Sequence, residues 1–159
     1  MKKVFIMVIA ILSFNSFANP YERTVIELFN LSKTENEISY AISGAVRCAG
    51  VLNEMSLRTE KDFPNKDVSA NLESLYFASM QVAALFQQNM RTTAGYEDFS
   101  VDDALTEISP LFFAHHKKYQ EWMNDNFLKT GELFGSDNVL KSELDTCIEF
   151  AGSARKRFQ

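Results

Sequence analysis

The chain has 159 residues, of which 46% are apolar and 23% charged, with 6 Gly, 3 Pro and 2 Cys. That length suits one domain, the low Gly and Pro exclude collagen-like or low-complexity architecture, and the apolar share is too high for a disordered chain. Lys and Arg number 16 against 21 Asp and Glu, a formal charge of −5, which argues against nucleic-acid binding.

Residues 1–18 run from Lys2 and Lys3 through the apolar stretch Val4 to Leu12 to Ser16-Phe17-Ala18. A positive start, an apolar middle and small residues at the end make a secretory signal peptide, with cleavage expected after Ala18. A membrane anchor would need about 20 apolar residues, and Ser13, Asn15 and Ser16 interrupt the run. The cut has no nearby Cys for a lipoprotein anchor, and no later segment reads as a span. The expected mature product is residues 19–159, one helical domain that is periplasmic or secreted. Losing two lysines and no acid moves its charge to −7, which favours solubility and basic partners.

Val25, Ile26, Leu28, Phe29 and Leu31 open the helical sequence, before a polar break at Ser32 to Asn36 where a bend is expected. Ile38, Ala41, Ala45, Cys48, Leu52 and Met55 then recur in steps of three and four, so residues 21–58 form one helix or two. Arg58 to Lys66 reads as a loop, because Pro64 discourages helix at Phe63. Val68, Leu72, Leu75, Val82, Phe86 and Met90 share a stripe in a helix over 67–91, with Tyr76, Phe77, Met80 and Leu85 widening its apolar face.

Ser100 and Asp103 have the spacing of a capping pair ahead of a helix over 101–128. Pro110 is expected to kink that helix near Thr106. Gly131 and Gly135 mark the next turn, and Ser136 or Asp137 caps a helix over 137–157 that closes with Arg155, Lys156 and Arg157, cations suited to its carboxyl end. No segment alternates with the period of a strand. The expected fold is all-α, an antiparallel four-helix bundle whose first helix is whole or broken in two.

In an oxidising compartment Cys48 and Cys147 are expected to pair. Each lies near the middle of its helix on the apolar stripe, and in an up-down-up-down bundle the first and last helices are adjacent and antiparallel, so midpoint meets midpoint. Ala41, Gly44, Ala45, Ala49 and Gly50 on one side, with Ala151, Gly152 and Ala154 on the other, are expected to let the backbones approach.

Chemistry is sparsely marked. His115 and His116 are the two histidines; neighbours on a helix point about 100° apart, the wrong spacing for a helical metal pair. Phe112 and Phe113 stand where a Glu-x-x-His di-iron motif would need Glu. There is no Cys-x-x-Cys-His, phosphate loop, Gly-x-Ser-x-Gly elbow or His-Glu-x-x-His, and the acids at Glu97, Asp98, Asp102, Asp103 and Glu107 lack calcium-loop spacing. No catalytic residue, metal or cofactor is assigned. His115 to Lys118 and Arg155 to Arg157 are small positive patches, solvated faces or contacts for an acidic partner or a phosphate. Phe63, Tyr96, Phe99, Phe127 and Phe134 fall in or beside loops, where they staple helix ends or, for Phe63, Tyr96, Phe99 and Phe134 in particular, form a contact patch. The expected function is non-enzymatic: an adaptor, inhibitor or chaperone-like factor binding another envelope or extracellular protein. The alternatives are a carrier of a small apolar ligand in the bundle interior, and an enzyme with an unmarked site.

Overall fold

A computed structural model describes residues 21–62 and 65–158. The expected signal peptide, its expected cleavage site and Phe63 lie outside them. Among the described residues there are five helices and no strand: α1 (Val25–Thr34), α2 (Ile38–Asp62), α3 (Lys66–Thr93), α4 (Val101–Thr130) and α5 (Asn138–Phe158). Among the described residues no helix is long and apolar enough to cross a membrane.

Local chemistry sets the ends of these helices. The Thr24 side chain accepts from the Glu27 amide while Glu27 reaches back to Thr24, so α1 begins at a capping box and not at residue 21. The break expected between residues 32 and 36 is real: α1 stops at Thr34, and Asn36 takes a left-handed φ of 53°, a conformation Asn tolerates better than most residues. The expected loop from Arg58 is shorter than its composition suggested. α2 continues to Asp62, with Arg58 bonded to Glu54 one turn back and the Thr59 hydroxyl donating to the Met55 carbonyl. Asn65 caps α3, and Ser100 and Asp103 form the expected box at the start of α4. α4 runs on through Pro110 and ends where Gly131 adopts a left-handed φ of 78°. At α5, Asp137 is the cap, accepting from the Leu140 amide.

α2 packs against each of the other four helices, and α3 also meets α4 and α5, whereas α4 and α5 do not approach each other backbone to backbone. Large side chains bridge the space between these two. Tyr119 reaches Glu143, Trp122 reaches Asp137, and Tyr21, from the segment before α1, lies with its ring 5.4 Å from that of Tyr119 and 6.4 Å from that of Trp122. One apolar cluster joins Leu52, Leu75, Tyr119, Trp122, Met123 and Leu140; a second, richer in alanine, joins Val46, Ala83, Ala84, Ala104, Ile108 and Phe112. Each fully buried Leu or Val is worth about 1.5–3 kcal/mol.

Cys48 and Cys147 are bonded, with their Cα atoms 4.9 Å apart. α2 and α5 run antiparallel, since Met55 and Thr59 lie by Lys141 while Cys48 meets Cys147. The glycines expected to admit this contact serve other purposes. A Cβ on Gly50 would stand 3.0 Å from the His116 amide nitrogen, so Gly50 is where α2 meets the backbone of α4; a Cβ on Gly44 would meet the Phe29 ring, and Gly152 faces open space. Ala151, in the same cluster as the two cysteines, provides the small surface beside them.

Candidate functional site

The strongest electrostatic feature is sealed inside the fold. Arg47 stands alone as a charge in the run Ile38 to Leu52, and because α2 is surrounded by helices, its side chain has no route to water. Its Nη2 donates to both Glu143 carboxylate oxygens, at 2.6 and 2.7 Å, and its Nη1 donates to the Arg23 carbonyl. Glu143 also accepts from the Tyr119 hydroxyl and, at 3.0 Å, from the Val25 amide. Arg47, Tyr119 and Glu143 are 3%, 0% and 2% exposed. Burial pushes the Tyr119 hydroxyl far above its ordinary pKa, with the Glu143 charge adding to the effect, so Tyr119 remains a donor.

Tyr21 covers this centre. The Arg47 guanidinium lies 3.7 Å from the Tyr21 ring centroid and the Lys118 ammonium 4.9 Å from it. The Tyr21 hydroxyl is 3.1 Å from His115 Nδ1. Burial, then the positive charges of Arg47 and Lys118, bring the His115 pKa down from 6.5 to about 4, so its imidazole is neutral at pH 7. The arrangement joins the segment before α1 to α2, α4 and α5. It is a structural clamp.

A second polar group joins α2 to α4. Glu54 accepts from Arg58 Nε at 2.6 Å and lies 2.9 Å from His116 Nε2, while Arg58 Nη2 donates to Asn124 at 2.7 Å. Burial opposes the Glu54 charge, but the His116 and Arg58 hydrogen bonds outweigh it and hold the carboxyl below its ordinary pKa. The two histidines thus serve different partners on different sides of α4. No group of three or more His, Cys, Asp or Glu side chains that could hold a metal ion occurs among the described residues.

The loop aromatics separate into different places. Tyr96 and Phe99 line a shallow depression ahead of α4 with Glu97, Asp98 and Asp103. Phe134 lies beyond the other end of that 30-residue helix, a distance of about 45 Å at 1.5 Å per residue, so these three do not form one patch. Phe134 instead helps line a cavity of about 750 Å³ with Met55, Phe127, Leu133, Arg58 and Lys141. This cavity is at the end of the helices and not among them.

Exposed apolar side chains occur on several helices, Phe113 and Leu128 of α4 among them, and on α3 and α5 they border a groove. Val82, Leu85 and Phe86 of α3 face Phe150, Ala154 and Phe158 of α5 across a groove of about 370 Å³, with Ser153 and Arg157 completing its walls. A neighbouring depression holds Phe77, Gln81, Arg155 and the other side of Phe158. Phe77, Leu85 and Phe158 are 53%, 41% and 48% exposed. Counted in the sequence as part of a widened core stripe, Phe77 and Leu85 lie outside it, because α3 meets α2, α4 and α5 with the buried Leu75, Ala78, Ala83 and Ala84 instead. The detectable sign was an apolar face wider than one helix needs for its own packing. Comparison of the chain with protein-family models, with curated proteins and with solved structures finds no match.

Proposed function

We propose that this is an exported, non-enzymatic binding protein that docks a partner protein of the periplasm or extracellular space on its α3–α5 face. One observation carries the reading: an apolar groove with three aromatic walls, continuous with the exposed rings of Phe77 and Phe158. Contiguous exposed apolar relief of this kind marks interaction sites on proteins otherwise covered by polar groups. The scaffold is read as an antiparallel arrangement of α2, α3, α4 and α5 with α1 laid against it, and the buried Arg47–Glu143 clamp and the disulfide keep the face rigid. The disulfide is compatible with an oxidising compartment, and the signal-like residues 1–18 support export.

The test is a photoactivatable amino acid placed at Leu85, or as a control at the exposed Glu121 of α4, in the cell that makes the protein. A discrete protein adduct from position 85, absent from position 121, is the expected result. No adduct at either position, or the same adducts at both, refutes the reading.

A second reading, carriage of a small apolar ligand, is favoured by the cavity beside Phe134, whose volume of about 750 Å³ suits a small molecule. Protein purified under native conditions then carries a discrete extra mass in its native mass spectrum.

A further inference from the structure

Charge is distributed unevenly over this acidic chain. No Asp or Glu occurs from Ser74 to Tyr96, most of α3, or from Phe150 to the end of the sequence. The groove lies between these two acid-free stretches. Its shared aromatic residue, Phe158, has Arg157 in the acid-free groove on one side and Arg155 in the depression on the other, where Glu73 is the one acid of the lining. Arg155 is steered by a 2.8 Å hydrogen bond to Asn71, and Arg157 is exposed. Cations at a helix carboxyl end offset its dipole, but that accounts for α5 alone and not for the absence of acids from α3 beyond Glu73.

Resting on the reading that this face docks a protein, we infer that the docked element is an acidic amphipathic segment. Its apolar side chains, at helical spacing, enter the groove beside Leu85 and Phe158, and its carboxylates meet Arg155 and Arg157. Two arginines flanking one aromatic are suited to carboxylates, because the planar guanidinium can donate two parallel hydrogen bonds. Helix-in-groove recognition uses this division of labour, with apolar anchors for affinity and rim charges for orientation and encounter rate. A narrow groove with aromatic walls also takes up separate side chains, which a planar lipid surface does not present.

The experiment extends the cross-link at position 85. The adduct is digested and its partner segment sequenced, and the yield is compared in R155E/R157E and in R155K/R157K, with helicity and thermal unfolding recorded for each. The expected segment has net negative charge and apolar residues at i, i+3 or i+4 and i+7. Its yield falls at least tenfold in R155E/R157E and less than threefold in R155K/R157K, with unfolding unchanged. A neutral or basic segment, a segment of this chain itself, a lipid adduct, or a yield indifferent to charge reversal overturns the inference while leaving an adduct at position 85 to be explained. Absence of any adduct instead removes the docking reading on which it rests.

Discussion

Replacing Glu143 by Gln tests whether the buried clamp is held by charge or by shape. The amide nearly matches the carboxylate in volume, so no cavity opens, and it can still accept from the Val25 amide and donate to the Tyr119 hydroxyl. What it cannot do is neutralise Arg47, whose side chain is 4% exposed and whose Nε has no hydrogen-bond partner among the described residues. Removing one member of a buried ion pair costs about 3–5 kcal/mol, because the remaining charge stays desolvated. Against a typical total stability of about 5–15 kcal/mol, E143Q should unfold at a urea midpoint lower by roughly 1.5–2.5 M for a slope near 2 kcal/mol per M. R47M/E143Q removes the stranded cation while keeping the two neutral hydrogen bonds, and should recover all but about 1 kcal/mol of the loss, since replacing a whole buried pair is often close to neutral. Equilibrium urea unfolding of residues 19–159 at pH 7, disulfide intact, reads both. The reasoning fails if E143Q lies within 1 kcal/mol of the parent, or if the double variant is no more stable than the single.

Acidification should weaken the fold through His115. Its pKa is about 4 when folded and near 6.5 when unfolded, so the unfolded chain binds more protons between these values, and stability falls as pH drops through that window, by about 2–3 kcal/mol. H115Q should lose correspondingly less between pH 7 and pH 4.5 in the same urea assay; equal losses would show that His115 is not the group responsible. Glu54, held below its ordinary pKa by His116 and Arg58, acts in the same direction but only below its unfolded pKa near 4.5. Gly50→Ala should destabilise by about 1–2 kcal/mol, because its Cβ would press on the α4 backbone, whereas Gly152→Ala, in open space, should stabilise by about 0.5–1 kcal/mol. Thermal melts ranking the parent between these two variants would confirm the assignment of Gly50 to the α2–α4 contact, and the reverse order would refute it.

The helices were legible because their apolar residues recur at helical spacing and their caps are written in short motifs, as at Ser100 and Asp103. The disulfide was legible from two cysteines in equivalent mid-helix positions. Which helix occupies the centre was not, because periodicity reports the width of an apolar face and not the identity of what covers it. α2 did carry a sign, since Arg47 is the single charge between Ile38 and Leu52, the pattern of a helix enclosed on all sides. Its partner was less visible: Glu143 is one acid among several on α5, and burial alone distinguishes it from Asp145 and Glu149. The α3–α5 groove was hidden for a related reason. A leucine in a core and a leucine on a docking face look alike until the packing of the neighbouring helices shows which of them is covered.

The segment from Tyr21 to Val25 is seated by residues far from it in sequence. Its ring neighbours His115, Tyr119 and Trp122 are on α4, and the carboxylate that receives the Val25 amide is 118 residues away on α5. Pairings over such a separation form slowly, because a long loop must close before any contact repays it. The segment from Tyr21 to Val25 is therefore expected to be seated late in folding, once α5 has packed. Without α5, Arg47, Tyr119 and the Val25 amide lose their common acceptor, so one carboxylate ties the segment before α1 to two helices at once.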